Sequence, residues 1–126
     1  MHGTAEPVVL LEKIPLQRAG YSVAIITLNR PDKYNCFNPE MVSKLSQIFA
    51  DIAEEKDTDG STLVAIILAG KGAAFCAGAD LTDPPDPVKQ SSDLPCCLKD
   101  NPVYQMSRVS MPIIGVIQGY VGTRWR

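Results

Sequence analysis

The sequence predicts a single α/β domain, and three features of its residue pattern support this. Two short runs rich in β-branched residues come first, a segment with helical periodicity follows, and two continuous apolar runs come later. The length of 126 residues allows one domain, since a domain usually takes roughly 100–200 residues. The composition is 45% hydrophobic and 21% charged with a mean hydropathy of +0.01, as is typical of a chain that folds around an apolar core.

The two β-branched runs are predicted to form an antiparallel pair of strands. They extend from Val8 to Ile14 and from Ser22 to Asn29. The segment between them contains Pro15 and Gly20, and it has the length of a hairpin loop.

A helix is predicted over residues 39–56. Asn38 suits the N-cap, and Pro39 suits the first helical position, where its missing N–H needs no partner. Apolar residues recur at helical spacing at Met41, Leu45, Ile48 and Ile52. Residues 57–60, Asp-Thr-Asp-Gly, end this pattern, so we expect an amphipathic helix that lies on a sheet.

Residues 62–69 are predicted to form a central strand, because the run is apolar throughout and both of its faces should therefore be covered. Residues 113–118, introduced by Pro112, form a second run of this kind. Between them, residues 82–102 hold five of the ten prolines and are expected to form a long irregular loop. A short helix over 101–109 should lead to the last strand, which gives the order β-β-α-β-loop-α-β.

The charge balance argues against binding to nucleic acid, and the hydropathy argues against a membrane span. Twelve Lys and Arg stand against fourteen Asp and Glu, for a net charge of −2. The longest apolar run has seven residues, 63–69, whereas a membrane span needs about 20. Residues 1–6 lack a basic segment followed by an apolar one, so no secretory signal is expected. We expect an intracellular location, with peroxisome, mitochondrion and cytoplasm all open.

The four cysteines are interpreted as thiols, because a reducing compartment follows from the missing signal. No Cys-x-x-Cys spacing occurs and the single histidine, His2, lies at the terminus, so no metal site is expected. The single histidine also argues against a Ser-His or Cys-His nucleophile. The cysteines are Cys36, Cys76, Cys96 and Cys97.

A loop of small residues, Gly70 to Leu81, follows the predicted central strand directly. Open α/β sheets bind ligands at the carboxyl ends of their strands. The loop lacks the third glycine of a dinucleotide fingerprint and the Gly-Lys-Ser/Thr of a P-loop. Its small side chains would let backbone N–H groups approach a ligand, as an oxyanion hole requires, but a plain glycine-rich turn has the same composition.

Aspartates are frequent in and beside the predicted long loop. Paired carboxylates can carry out general acid and base chemistry, but the spacing here specifies no geometry. It favours solvated loop residues, with Asp80 capping the turn or helix that follows it. The aspartates are Asp80, Asp83, Asp86, Asp93 and Asp100.

Four sequence blocks carry a resemblance to a known family. They are Ile26–Asn35 (Ile-Thr-Leu-Asn-Arg-Pro-Asp-Lys-Tyr-Asn), Val64–Gly70, Ala74–Leu81 (Ala-Phe-Cys-Ala-Gly-Ala-Asp-Leu) and Met111–Tyr120. In this order and at these separations they resemble the crotonase superfamily of enoyl-CoA hydratases and isomerases. The resemblance covers residues 8–120 and concerns the N-terminal half of the family's domain only. Residues 1–126 are therefore expected to form a partial crotonase-like domain, with 121–126 as a divergent tail.

The resemblance implies a ββα spiral, truncated after the strand near residues 113–118, and an acyl-CoA substrate without a metal or redox cofactor. In the family, the Arg-Pro-x-x-x-Asn and Ala-Gly-Ala-Asp loops hold coenzyme A, mostly through backbone groups. An alanine amide supplies one half of the oxyanion hole. It corresponds to the N–H of Ala79, while Asp80 would order the loop. The coenzyme-A-binding residues implied for this chain are Lys33, Tyr34, Ala77, Gly78, Ala79, Asp80 and Leu81.

The chain departs from the family after Tyr120. The family continues there with a Gly-Gly-Gly-x-Glu stretch, whose middle glycine gives the second oxyanion amide and whose glutamate does acid-base work. Arg124 stands at the middle glycine, and the glutamate would fall beyond Arg126. A second glutamate and the C-terminal helices through which family members form homo-oligomers are expected to be missing too.

The functional expectation is therefore a protein similar to an enoyl-CoA hydratase or isomerase of fatty acid metabolism. At the level of the family, such a protein adds water across the 2,3-double bond of an enoyl-CoA. The 126-residue chain alone is expected to be inactive. The alternative is a non-catalytic truncated isoform that acts as a module for binding coenzyme A or for interaction.

Overall fold

The computed structural model of the protein describes residues 6–54, 60–85 and 100–122. The strands are β1 (Val9–Pro15), β2 (Tyr21–Leu28), β3 (Thr62–Gly70), β4 (Ala74–Cys76), β5 (Ile113–Val116) and β6 (Tyr120–Val121). The helices are α1 (Pro39–Ala53) and α2 (Pro102–Arg108), and a 3-10 helix covers Pro31–Lys33. The order of the four longer strands and two α-helices is the one that the sequence predicts.

The main sheet has four strands in the order β1-β2-β3-β5. β1 is antiparallel to β2, whereas β2, β3 and β5 are parallel to one another. β3 thus lies between two neighbours, which confirms it as a central strand. β4 and β6 pair in parallel as a separate two-stranded sheet.

The core lies between α1 and one face of the main sheet. The helix begins as predicted, because the Asn38 side chain accepts a hydrogen bond from the Met41 N–H at 2.9 Å. Every second residue of β2 is buried, and Ile66 of β3 is buried in the same cluster. The apolar residues that α1 buries are Met41, Leu45, Ile48, Phe49 and Ile52.

The second helix, α2, packs against α1. Asn101 caps it, since its side-chain oxygen accepts hydrogen bonds from the N–H groups of Val103 and Tyr104 at 2.9 and 3.3 Å. A half-exposed ion pair joins Arg108 of α2 to Glu54 at the end of α1, with 3.5 Å between Nη2 and Oε1. These contacts involve the two helices and none of the residues that directly follow the carboxyl ends of β2, β3 and β5.

Several elements differ from the sequence-based expectation. β4 and β6 have three and two residues, too few to give a detectable alternation of polar and apolar positions. The predicted loop 82–102 is irregular at residues 82–85, and Pro102 already belongs to α2. Its residues 86–99, with Cys96, Cys97, Asp86 and Asp93, and the predicted helix positions 55 and 56 lie outside the described residues.

The expectation that both faces of the apolar strands are covered is wrong for β5. Its side chains Ile114 and Val116 are 52% and 50% exposed. They lie on the face of the sheet opposite α1, because Ile114 is in register with Ile67 while Ile66 and Ile113 face the core. In the described structure no helix covers this outer face.

The two edges of the main sheet differ in character. The edge strand β1 carries Glu12, Lys13 and Pro15, residues that discourage pairing with a further strand. The edge strand β5, with the sequence Ile-Ile-Gly-Val, carries no charge and no proline. Among residues 6–54, 60–85 and 100–122, no helix has the length and apolar character that crossing a bilayer requires.

A matched pair of substitutions tests this division between a covered and an uncovered face. We expect Ile66→Thr to lower the free energy of unfolding by about 2–4 kcal/mol, because it places a hydroxyl in a packed apolar core. Ile114→Thr should change it by no more than about 0.5 kcal/mol and should reduce self-association. Urea unfolding and sedimentation velocity measure the two effects. Equal destabilisation by both substitutions would contradict the exposed position of Ile114.

Candidate functional site

The parallel strands bring three loops to one edge of the main sheet. Leu28 at the end of β2 is in register with Gly70 at the end of β3, and Ala69 is in register with Val116 at the end of β5. Residues 29–38, 71–80 and 117–119 therefore follow the carboxyl ends of neighbouring strands. We call these three loops the carboxyl edge, and it is where α/β sheets bind ligands.

The side chain of Asn35 joins two of these loops. Its Oδ1 accepts a hydrogen bond from the Arg30 N–H at 2.7 Å, within the first loop. Its Nδ2 donates to the carbonyl oxygens of Lys71 and Ala74, at 3.0 and 2.8 Å, in the second. Asn35 is fully buried, so these bonds form away from water, where an unpaired group would be costly.

The backbone of the first loop is strained at two successive residues. Tyr34 and Asn35 have φ angles of 52° and 56°, in the left-handed region that a bulky side chain such as tyrosine rarely adopts. The Tyr34 N–H donates to Pro31 O at 3.2 Å, and its carbonyl accepts from the Ala77 N–H at 3.0 Å. Strained backbone of this kind persists where surrounding contacts over-determine it, and it concentrates at functional sites.

A short parallel bridge fixes the backbone on both sides of Ala79. The Phe37 N–H donates to Gly78 O, and the Asp80 N–H donates to Phe37 O, both at 2.8 Å. In this pattern the N–H of Ala79 points away from Phe37. No acceptor for that N–H is found within the part of the chain that the structure describes, and Ala79 is exposed.

Gly78 makes the turn that presents this amide. Its φ angle of 104° is one that residues with a side chain rarely adopt, so a glycine is required at this position. Its N–H lies 3.5 Å from the Cys76 sulfur. The result is an N–H donor on a rigid turn, which is the type of group that stabilises a developing negative charge on oxygen.

An ion pair shielded from solvent closes the site. The Arg30 Nη2 lies 3.0 Å from Asp80 Oδ2, and the two side chains are 14% and 9% exposed. The Arg30 Nη1 also donates to the carbonyl oxygen of Cys36. Asp80 Oδ1 accepts hydrogen bonds from the N–H and the hydroxyl of Thr82, at 2.9 and 2.7 Å.

These contacts hold the pKa of the Asp80 carboxyl well below its usual range. The hydrogen bonds from Thr82 are the largest cause, and the Arg30 guanidinium adds to them. Both carboxylate oxygens are engaged, so Asp80 is an ionised structural group. Its lowered pKa makes it a weak base.

Two further contacts tie the third loop to the second. The Gln118 side-chain amide donates to the carbonyl oxygens of Gly70 and Gly72. Gly70 is required by close packing, since a Cβ there would lie 2.6 Å from Phe75 O. All three loops of the carboxyl edge are thus joined by side-chain amides or backbone bonds.

The structure brings most of the predicted site residues together. Tyr34 and Ala77 are hydrogen-bonded to each other, and Gly78, Ala79 and Asp80 follow in the same turn. The side chains of Lys33 and Leu81 are exposed beside them, without a contact to the other members among the described residues. Sequence reasoning assigned no role to Arg30, Asn35, Thr82 or Gln118. Arg30 and Asn35 belong to the Arg-Pro-x-x-x-Asn motif, so the family resemblance did indicate that the loop containing them is functional.

The two cysteines in the described residues, Cys36 and Cys76, are free thiols. Burial raises the pKa of the Cys76 thiol, so at neutral pH it is protonated and unsuited to nucleophilic attack. Groups of three or more residues with the chemistry to hold a metal ion do not occur in the described part of the chain.

The carboxyl edge lies within the segment that matches a known protein family. The family model described as enoyl-CoA hydratase/isomerase matches residues 18–123. The chain belongs to this family. This match confirms the predicted family, and the similarity to solved structures confirms the predicted α/β fold of the crotonase type.

Individual family members give the extent of the match. The "Probable enoyl-CoA hydratase 1, peroxisomal" of Arabidopsis thaliana is 36% identical over 110 residues, which are 87% of this chain and 38% of that protein. The 1,2-epoxyphenylacetyl-CoA isomerase of Escherichia coli (strain K12) is 35% identical over 101 residues, 77% of this chain and 37% of that protein. The crystal structure of an enoyl-CoA hydratase from Mycobacterium tuberculosis H37Rv matches with a TM-score of 0.61 and 28% identity, over 91% of this chain and 39% of that one. This crotonase-family chain thus spans less than two-fifths of the length of these relatives.

The buried amide of Asn35 can be tested against a matched amide on the surface. We expect Asn35→Ala to lower the free energy of unfolding by about 2–4 kcal/mol, since it leaves one donor and two acceptors of the carboxyl edge without their partner. Asn101→Ala, which removes the cap of α2, should cost about 1 kcal/mol. Urea unfolding of both variants measures the difference. A smaller loss in Asn35→Ala than in Asn101→Ala would show that Asn35 does not hold the two loops together.

The hydrogen bonds that Asp80 accepts from Thr82 and Arg30 predict a pH dependence of stability. The pKa of Asp80 is lower in the folded state than its unfolded value of about 3.8, so its contribution is complete above that value and is lost as the pH falls toward the folded pKa. Asp80→Asn lacks this contribution. The difference in unfolding free energy between wild type and Asp80→Asn should therefore be constant from about pH 7 to pH 5 and should shrink between about pH 4 and pH 3. Urea unfolding across this range tests the prediction, and a difference that stays constant to the lowest pH would refute it.

Proposed function

We propose that the carboxyl edge binds an acyl-CoA thioester, with the N–H of Ala79 donating a hydrogen bond to the thioester carbonyl oxygen. The observation that carries this proposal is the orientation of that N–H. The bridge to Phe37 uses the groups on either side of Ala79 and leaves its N–H directed outward from an exposed turn. A donor fixed in this way needs no reorganisation when charge develops on the carbonyl oxygen.

The same edge offers contacts for the rest of coenzyme A. We propose that Lys33, Tyr34 and the turn 77–81 hold it, mostly through backbone groups. The strained backbone at Tyr34 is fixed directly against Ala77, so the two segments form one surface. Lys33 is exposed at this surface and supplies a positive charge for a phosphate group.

The reaction that we assign at the level of the family is the reversible addition of water across the 2,3-double bond of an enoyl-CoA, within fatty acid metabolism. The substrate is the thioester, and the proposal includes no metal or redox cofactor. Relatives named as a hydratase and an isomerase support a carbonyl-polarising site that serves more than one proton-transfer reaction. We place the site in a partial crotonase-like domain that covers residues 8–120.

The described residues can polarise the carbonyl, but they do not supply the proton transfer. Asp80 is the carboxylate next to the Ala79 donor, and both of its oxygens are engaged by Arg30 and Thr82. Activating water requires a base within hydrogen-bond reach of it. Removing one of two oxyanion donors alone costs about 10²–10³ in rate. We therefore propose that this chain by itself binds its ligand without hydrating it.

An interaction module is the second candidate function, and the exposed edge of β5 favours it. The edge carries no charge or proline and adjoins the exposed Ile114 and Val116. A module of this kind would bind coenzyme A weakly or join an assembly of family members. Sedimentation velocity without ligand separates the two functions, because only the interaction module requires association through the edge of β5.

Titration with crotonyl-CoA tests the proposed binding. We expect saturable binding by calorimetry and a loss of about tenfold in affinity on Ala79→Pro, which deletes the N–H donor. Ala79→Val keeps the N–H and adds bulk at an exposed position, so it should bind within about threefold of wild type. Equal affinity of the proline and valine variants would contradict the role of the Ala79 donor.

The same samples test the absence of catalysis. We expect no loss of the enoyl-thioester absorbance above the rate without protein, because the carboxylate beside Ala79 among the described residues, Asp80, has a lowered pKa and is a weak base. Hydration that survives a second purification and disappears on Ala79→Pro would contradict the non-catalytic part of the proposal.

A further inference from the structure

Arg30 is placed to control the direction of the Ala79 N–H, although it does not touch Ala79. Its guanidinium contacts two segments at once, the Cys36 carbonyl through Nη1 and the Asp80 carboxylate through Nη2. Cys36 precedes Phe37 and Asp80 follows Ala79, and Phe37 and Ala79 are the two residues of the bridge. The Arg30 side chain therefore connects the two segments of the bridge through the residues next to it, Cys36 and Asp80.

The bridge alone fixes the turn weakly. It consists of two backbone hydrogen bonds between single residues, without a neighbouring strand pair to extend it. A rotation of the 78–80 backbone that redirects the Ala79 N–H would break these two bonds, but it would not require breaking the Ala77–Tyr34 bond or the contacts of Asn35. The Arg30 contacts oppose that rotation, because moving the Asp80 side chain breaks a shielded ion pair.

The backbone of Arg30 is itself fixed by hydrogen bonds. The Arg30 backbone N–H donates to Asn35 Oδ1, and the Arg30 carbonyl accepts from the N–H groups of Lys33 and Asn35. Asn35 is in turn bonded to Lys71 and Ala74 after β3. The guanidinium thus starts from a fixed backbone, and its planar fork suits two simultaneous contacts in a way that a lysine ammonium does not.

We propose that Arg30 and Asp80 form a positioning clamp, defined by these two side chains and the Thr82 donors to Asp80, which aims the Ala79 N–H at the thioester carbonyl oxygen. This inference rests on the proposed function of the carboxyl edge. It adds that the clamp acts on the polarisation of the carbonyl and leaves the affinity for the coenzyme A moiety almost unchanged. The side chains of Arg30 and Asp80 are positioning groups, because they act on the thioester carbonyl only through the Ala79 N–H.

The chain offers a matched control in its other arginine ion pair. Arg108 and Glu54 join α2 to α1 with 3.5 Å between Nη2 and Oε1, away from the carboxyl edge. Arg108→Gln removes the same charge and the same kind of ion pair as Arg30→Gln. Any effect that comes only from a general loss of charge or stability should appear in both variants.

The test is the infrared carbonyl band of butyryl-CoA labelled with ¹³C at the thioester, measured free and bound to the 126-residue chain. We expect the bound band to lie at lower wavenumber in wild type and in Arg108→Gln. Arg30→Gln and Asp80→Asn should lose most of this shift, while the affinity of Arg30→Gln for free coenzyme A stays within about threefold of wild type. Unfolding transitions establish that each variant is folded. If Arg30→Gln does not fold, Thr82→Val removes one hydroxyl donor to Asp80 and should reduce the shift in part.

The outcomes separate the clamp from the function on which it rests. A shifted band in wild type that stays equally shifted in Arg30→Gln, Asp80→Asn and Thr82→Val overturns the clamp alone. An unshifted band in wild-type protein that binds butyryl-CoA overturns the Ala79 donor and the clamp with it. Failure of the wild-type chain to bind overturns the proposed function as a whole. Loss of the shift in Arg108→Gln as well as in Arg30→Gln assigns the effect to general destabilisation and overturns the clamp.

Discussion

The hydrogen-bonded side chain of Asn35 is the constraint on which the rest of the carboxyl edge depends. One amide group satisfies a donor in the loop after β2 and two acceptors in the loop after β3. Because Asn35 is buried, these groups have no contact with water in the folded protein, and each would be left unpaired without this amide. The left-handed backbone at Tyr34, the position of Arg30 and the approach of Ala77 all follow from the way this amide holds the two loops.

The charged groups of the site, Arg30 and Asp80, are engaged with each other and with Thr82, and this determines which polar group is left for a ligand. Asp80 and Arg30 neutralise each other beside the turn, and Thr82 occupies the remaining carboxylate oxygen. The free polar group that results is a backbone N–H rather than a side chain. A backbone N–H of this kind can donate a hydrogen bond to an oxygen on which negative charge develops. The enoyl-CoA hydratase/isomerase family to which the chain belongs includes relatives named for different reactions.

The sequence predicted the elements whose signals are local. The Asn38 cap and the apolar spacing from Met41 to Ile52 indicated α1, and the unbroken apolar run of β3 indicated a central strand. The short strands β4 and β6 were not predicted, because two or three residues are too few to show a periodicity. The contacts that build the site join residues far apart in the chain, such as Arg30 with Asp80 and Asn35 with Ala74. No pattern in one sequence pairs such residues. The small residues of Gly70–Leu81 indicated one of these loops, and only the family resemblance indicated the loop that contains Arg30 and Asn35.

The unequal edges of the main sheet give the molecule an open side and a closed side. Glu12, Lys13 and Pro15 discourage the pairing of a further strand with β1. The strand β5 contains no charged residue and no proline. The carboxyl edge lies at the ends of the strands, at right angles to this direction of growth. A further strand paired with β5 would lie beside Ile114 and Val116 in the plane of the sheet, whereas the Ala79 turn lies beyond the ends of the strands.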